Sequence, residues 1–102
     1  MSDVVWSQDA LDDLDSTIAY IASDNPIAAQ RVLDRLEASA AALGRAASGR
    51  RGRVAGTYEK SVTGLPYIIA YAIQSLPSGR DRIVVLRVIH GARDWPEGHW
   101  PT

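Results

Sequence analysis

The hydrophobic positions change their period once along the chain, and the change divides it into a helical half and a strand half. Val4-Val5-Trp6 is a short β-prone run. After it Ala10, Leu11, Leu14, Ile18, Ile21 and Ala22 recur at three- and four-residue steps, which predicts an amphipathic helix at about 7–23. Ser7 can cap its start, while Asp9, Asp12 and Asp13 lie near its positive end, where the helix dipole favours carboxylates. Asn25-Pro26 supplies the next N-cap, with a proline at the first helical position, where its missing N–H costs nothing. Ala29, Val32, Leu33, Leu36, Ala40 and Leu43 form the second apolar face, and Gly44 is expected to end that helix in the left-handed conformation. So short a connection between two helices predicts an antiparallel hairpin.

Beyond Gly44 the three-four rhythm is lost. Ala46-Ala47-Ser48-Gly49-Arg50-Arg51-Gly52-Arg53 has no period and reads as an exposed loop. Three β-prone runs follow, Thr57 to Val62, Tyr67 to Ile73 and Arg82 to His90, separated by the turns Gly64-Leu65-Pro66 and Pro77-Ser78-Gly79-Arg80-Asp81. Connections this short favour an antiparallel meander. Tyr67-Ile68-Ile69-Ala70-Tyr71 and Ile83-Val84-Val85-Leu86 are apolar at nearly every position, as central strands are. The expected fold is α+β in the order β-α-α-β-β-β: an N-terminal strand, then an antiparallel helical hairpin packed on one face of a small twisted antiparallel sheet.

Composition narrows the function classes. A chain of 102 residues, 46% hydrophobic and 23% charged, is expected to form one domain over 1–102. Without cysteine it has no disulfide, thiolate metal site or cysteine nucleophile. No apolar run approaches the roughly 18 residues of a membrane span, and the start lacks a signal-peptide pattern, so a cytoplasmic location with no membrane partner is expected. The formal net charge of −1 conceals an asymmetry. Residues 1–43 carry eight acidic and two basic side chains, and residues 44–102 carry nine basic and four acidic. Either the two halves attract each other, or the basic half is a surface for a polyanion.

Arg50-Arg51-Gly52-Arg53 is the most suggestive cluster, because arginine presents a planar fork that grips phosphates and carboxylates in pairs. Lys60, Arg87 and Arg93 can join it from the strands. His90, with arginines and a tyrosine, has the chemistry for RNA phosphodiester cleavage, in which a base takes the 2′-OH proton, cations stabilise the charge and an acid protonates the leaving oxygen. Strand alternation, however, puts Arg87 on the face opposite His90 unless the strand bulges. Tyr58 and Lys60 share one face of their strand, and Tyr67, Ile69 and Tyr71 one face of theirs, with the tyrosine rings expected in the core and their hydroxyls at its rim. The first-helix aspartates, Asp9, Asp12, Asp13 and Asp15, read as structural. His99 stands at no metal-ligand spacing from His90, and no glycine-rich phosphate loop occurs, so neither metal nor cofactor is expected.

Taken in order, Trp6-Ser7-Gln8-Asp9-Ala10, Asp13-Leu14, Tyr20-Ile21, Asn25-Pro26-Ile27-Ala28-Ala29, Gly49 to Thr57, Leu65 to Tyr71 and Leu86 to Pro96 resemble the RelE/ParE superfamily, the toxins of bacterial type II toxin–antitoxin systems. The resemblance covers nearly the whole chain and implies the same fold. It also implies a cognate antitoxin whose acidic segment wraps the toxin and whose other half binds operator DNA, so that operator DNA is met only indirectly. Two activities divide the superfamily. Members of the RelE type cut mRNA on the ribosome without metal, and those of the ParE type inhibit DNA gyrase by binding. Ribonuclease members commonly carry an arginine near the position of Ile68, and its absence here favours the ParE type. On that reading Arg50, Arg51, Arg53, Arg87, Arg93 and Trp95 bind target or antitoxin. On the RelE reading Lys60, Arg87, His90 and Tyr58 are catalytic. A third reading is an inactive homologue that only binds its antitoxin.

Overall fold

The computed structural model describes residues 2–101. In chain order the elements are β1 (Asp3–Trp6), α1 (Gln8–Ala22), α2 (Pro26–Leu43), β2 (Arg50–Arg51), β3 (Tyr58–Ser61), β4 (Tyr67–Ser75) and β5 (Asp81–His90). Both helix starts follow from their caps. Ser7 Oγ accepts the Ala10 N–H at 3.1 Å, and Asn25 Oδ1 accepts that of Ala28 at 3.0 Å, with Pro26 opening α2. Gly44 closes α2 in the right-handed region at φ −67°, not the expected left-handed one. Its glycine answers to space instead, because a Cβ there would lie 2.5 Å from the carbonyl oxygen of Ser2, whose N–H donates to Gly44 O.

The five strands form one sheet in the order β1-β5-β4-β3-β2. β3, β4 and β5 are antiparallel neighbours as the short turns predict, and β2 pairs antiparallel with β3, but β1 runs parallel to β5, so the sheet is mixed rather than antiparallel. Connection length governs only strands adjacent in sequence, and β1 reaches β5 through the rest of the chain. β2 is the second departure. Its two arginines pair with Glu59 and Tyr58 inside the segment that reads as a loop, a ladder too short to show a period.

Ala10 and Leu14 of α1 and Leu36, Ala40 and Leu43 of α2 bury against Ile69, Tyr71, Ile83, Val85 and Val88 of the sheet. Alternation turns Ile68, Ala70 and Ile89 to the opposite face, where they are buried as well. The chain beyond β5 turns back on that side: the Gly91 N–H donates to Pro66 O at 2.7 Å and that of Gly98 to Arg53 O at 2.9 Å. Cover on both faces explains why these strands are apolar at successive positions. Pairing slips between Ala70 and Tyr71, which face Arg87 and Val85, so Leu86 is an extra residue in β5. No helix among the described residues is long and apolar enough to cross a membrane.

Candidate functional site

The basic segment is built on a buried carboxylate. β2 is an edge strand, and Arg50 stands directly across the ladder from Glu59, on the sheet face away from the helices. Glu59 is only 2% exposed. Its Oε2 accepts the backbone N–H of Arg53 at 2.7 Å, while its Oε1 lies 3.5 Å from Arg50 Nη2 and 3.9 Å from Arg53 Nε. The Arg53 guanidinium sits 4.1 Å above the Trp95 ring, a cation–π contact that draws the tail to the loop. Trp95 in turn packs at a tilt on Trp100. Arg51 is exposed, and alternation turns it to the face opposite Arg50. Gly49 makes the turn into β2 at φ +133°, where a Cβ would meet the Glu59 carbonyl oxygen at 2.5 Å. Behind it the Tyr71 hydroxyl donates to Ser48 O at 2.6 Å, so the core tyrosine holds the start of the loop with its hydroxyl at the core's rim. Burial, and after it the neighbouring Tyr58, raises the Tyr71 pKa above the usual 10.

Arg50, Arg53 and Trp95 therefore come together, but Arg87 belongs to a different setting. Its Nε and Nη2 grip Asp13 of α1 at 2.7 and 3.2 Å, and the Val88 N–H donates to the same carboxylate at 2.9 Å. The hydrogen bond to Asp13 raises the pKa of Arg87 above its usual value; partial burial opposes this, and the Asp13 and Asp9 charges reinforce it. Asp13 thus does more than complement the helix dipole. β1 stops at Trp6, opposite Val85, and beyond it Ser7, the cap of α1, and Asp13 within α1 take over the open edge of β5, Ser7 donating its hydroxyl to Leu86 O at 3.0 Å. Arg87 and Arg93 line one cleft of about 880 Å³ between β5 and the tail, with His99 and Trp100.

The residues of the ribonuclease reading are dispersed. Tyr58 stacks on Tyr71 with ring centroids 5.6 Å apart. Lys60 faces the helices from β3 and edges a groove of about 860 Å³ that runs along α2, whose rim carries Arg31 and Arg35 and whose floor includes Val32, Ala42 and Leu65. His90 meets Tyr67 edge to face at 5.3 Å, and its Nδ1 accepts the Ala92 N–H at 3.1 Å. Burial, then Tyr20, raises the Tyr67 pKa above 10. The bulge at Leu86 precedes Arg87, so it leaves Arg87 and His90 on opposite faces, and β4 lies between Lys60 and β5, a separation of roughly 10 Å across two strand spacings. Among the described residues no cluster of three or more histidine, aspartate or glutamate side chains is placed to hold a metal ion.

Sequence reasoning missed Asp13 and Glu59 as organisers of these arginines. Glu59 left one trace: a carboxylate in a β-run, on the face opposite Tyr58 and Lys60. Asp13 stood out only within the Asp13-Leu14 pair of the family resemblance; its residue type and helix position do not separate it from Asp9, Asp12 and Asp15.

Residues 4–95 match the family model described as the ParE toxin of the type II toxin–antitoxin system parDE. The chain is similar to the Y4kP protein of Sinorhizobium fredii, 41% identical over 93 residues that span 90% of this chain and 91% of the relative. It is also similar to the toxin RelE2 of Caulobacter vibrioides, 38% identical over 95 residues, 91% of this chain and 99% of the relative. The fold matches a chain of the chromosomal ParDE toxin–antitoxin system from P. aeruginosa with a TM-score of 0.77 at 20% identity, covering 88% of this chain and 96% of that one. The chain belongs to the ParE toxin family of type II toxin–antitoxin systems.

Proposed function

We propose that this toxin acts by binding DNA gyrase rather than by cutting mRNA, and that a cognate antitoxin neutralises it. The dispersal of Tyr58, Lys60, Arg87 and His90 carries the reading. General acid–base cleavage needs its groups within hydrogen-bond reach of one phosphodiester. Here Arg87 is paired with Asp13, Tyr58 is stacked on Tyr71, and β4 separates Lys60 from His90. What remains on the sheet side away from the helices is binding chemistry. Arg50, Arg53 and Trp95 form one surface, with Arg51 at the same edge and Arg93 beyond the end of β5. Such a surface attracts an anionic partner without moving a proton. An acidic antitoxin segment suits the α2 groove, where Arg31, Arg35 and Lys60 outnumber the one acidic lining residue, Asp34, around apolar side chains. Operator DNA is then met only through the antitoxin.

Induction of the chain without antitoxin, with early incorporation of labelled thymidine and labelled methionine, tests the target. DNA synthesis is expected to fall first, and purified chain is expected to inhibit gyrase supercoiling. Early loss of protein synthesis instead, with cut mRNA and sensitivity to His90→Ala, replaces this reading with the ribonuclease one. Growth that continues after induction identifies an inactive, antitoxin-binding homologue.

A further inference from the structure

Glu59 poses a question that the packing of the sheet does not answer. A buried carboxylate is costly unless paired and hydrogen-bonded, and a neutral amide would serve equally as acceptor for the Arg53 N–H. Among the described residues the charge is paired with Arg50 and Arg53, at 3.5 and 3.9 Å. Those distances exceed a hydrogen bond, and Oε1, although buried, has no hydrogen-bond partner among the described residues. Glu59 therefore acts on the guanidinium groups by charge, from beneath. Arg50 keeps 64% of its side chain exposed and Arg53 31%, so both stay open to a partner while being drawn over one point. The Arg53 backbone is fixed from two sides, by Glu59 Oε2 and by the Gly98 N–H, and its guanidinium is held on the Trp95 face.

We propose that Glu59 is a positioning residue of the toxin's working surface: it holds Arg50 and Arg53 in a preset arrangement, beside Trp95, for a carboxylate or phosphate group of the bound target. The proposal rests on the gyrase-binding reading above. Its physical basis is preorganisation. A free arginine loses rotamer entropy when a partner immobilises it, and holding two of them beforehand reduces that loss on binding.

The test uses the full chain with Glu59→Gln. The amide oxygen still accepts the Arg53 N–H, so the loop keeps its path and thermal stability is expected to stay level or rise, while the charge that orders the guanidinium groups is lost. The concentration of toxin that half-inhibits gyrase supercoiling is expected to rise about tenfold, the equivalent of part of the rotamer entropy of two arginines. In an Arg50→Ala/Arg53→Ala background, itself weakened, adding Glu59→Gln is expected to change nothing further, a coupling that a merely structural role would not produce. Full inhibition by Glu59→Gln, or an equal further loss in the double-alanine background, overturns the proposal. Should Glu59→Gln not fold, the side-chain Nε–H signals of the unmodified protein decide: Arg50 and Arg53 are expected to be more ordered than Arg51, and equal mobility of all three refutes positioning. If Arg50→Ala/Arg53→Ala inhibits gyrase fully, the surface itself is misassigned and this role falls with it. If that variant loses inhibition and Glu59→Gln does not, only the role of Glu59 falls.

Discussion

Asp13→Ala tests how the helical layer is fastened to the sheet. One carboxylate serves three donors, Arg87 Nε at 2.7 Å, Arg87 Nη2 at 3.2 Å and the Val88 N–H at 2.9 Å, at the point where β5 has lost β1 as its neighbour. An exposed ion pair contributes about 0–1 kcal/mol, whereas breaking a buried one costs about 3–5 kcal/mol. With 18% and 17% of the two side chains exposed, this pair lies between those limits, at about 2 kcal/mol. The stranded Val88 N–H adds about 1 kcal/mol, the low end for a lost partner because water reaches this edge in part. The sum, about 3 kcal/mol, is a large share of the roughly 5–15 kcal/mol by which such a domain is stable. At roughly 4–8 °C per kcal/mol the melting temperature drops by about 12–24 °C. Urea unfolding followed by circular dichroism measures the change. Asp12→Ala is the control: the side chain is exposed, accepts from Gln8 at 2.9 Å, and its loss costs under about 0.5 kcal/mol. Replacing Arg87 by Met in the Asp13→Ala protein removes the stranded cation and recovers part of the loss. If Asp13→Ala is no more damaging than Asp12→Ala, the pair is not what fastens α1 to β5.

Three further outcomes follow from the same geometry. Tyr71→Phe removes the 2.6 Å bond to Ser48 O, costing about 1 kcal/mol, and frees the segment that carries Arg50 and Arg51, so trypsin cleaves there faster while the rest of the fold stays protected. Gly49→Ala, strained at φ +133° and driven against the Glu59 carbonyl, destabilises by several kcal/mol, about 3 or more, whereas Gly56→Ala at φ +80° in open space costs about 1 kcal/mol; denaturation midpoints compare them directly. Stability falls above pH 10: unfolded tyrosines ionise from that point while Tyr67 and Tyr71, with pKa values raised by burial, retain their protons. The unfolded state then binds fewer protons than the folded one, which gives stability a negative slope with pH; a midpoint that holds level from pH 9 to 11 refutes it.

The helices were legible because each is specified locally. Ser7, Asn25 and Pro26 mark the starts, and the three-four rhythm marks the faces, without reference to any distant residue. The strand runs were legible from residue type and from the turns at 64–66 and 77–81. What the pattern could not carry was pairing. β1 runs parallel because of where the whole chain returns, and β2 exists only because Glu59 and Tyr58 lie opposite it. Gly44 shows the same limit in miniature: its place at a helix end was readable, but its reason, the approach of Ser2 O, is long-range.

The basic surface was legible as a composition and not as an arrangement. Seven of the arginines and Lys60 lie at or beyond Arg50, which says that charge gathers in the strand half but not which cations meet. The sorting is done by two acidic side chains. Asp13 takes Arg87 to the edge of β5 and commits it to holding α1, whereas Glu59 gathers Arg50 and Arg53 on the far face and leaves them open. The two carboxylates differ in geometry as well as in burial. Asp13 closes a bidentate pair at hydrogen-bond distance, which fixes its arginine, while Glu59 stands beyond that distance and leaves guanidinium donors for a partner. Pairing distance thus separates the arginine that is committed to the fold from the two whose donors stay open.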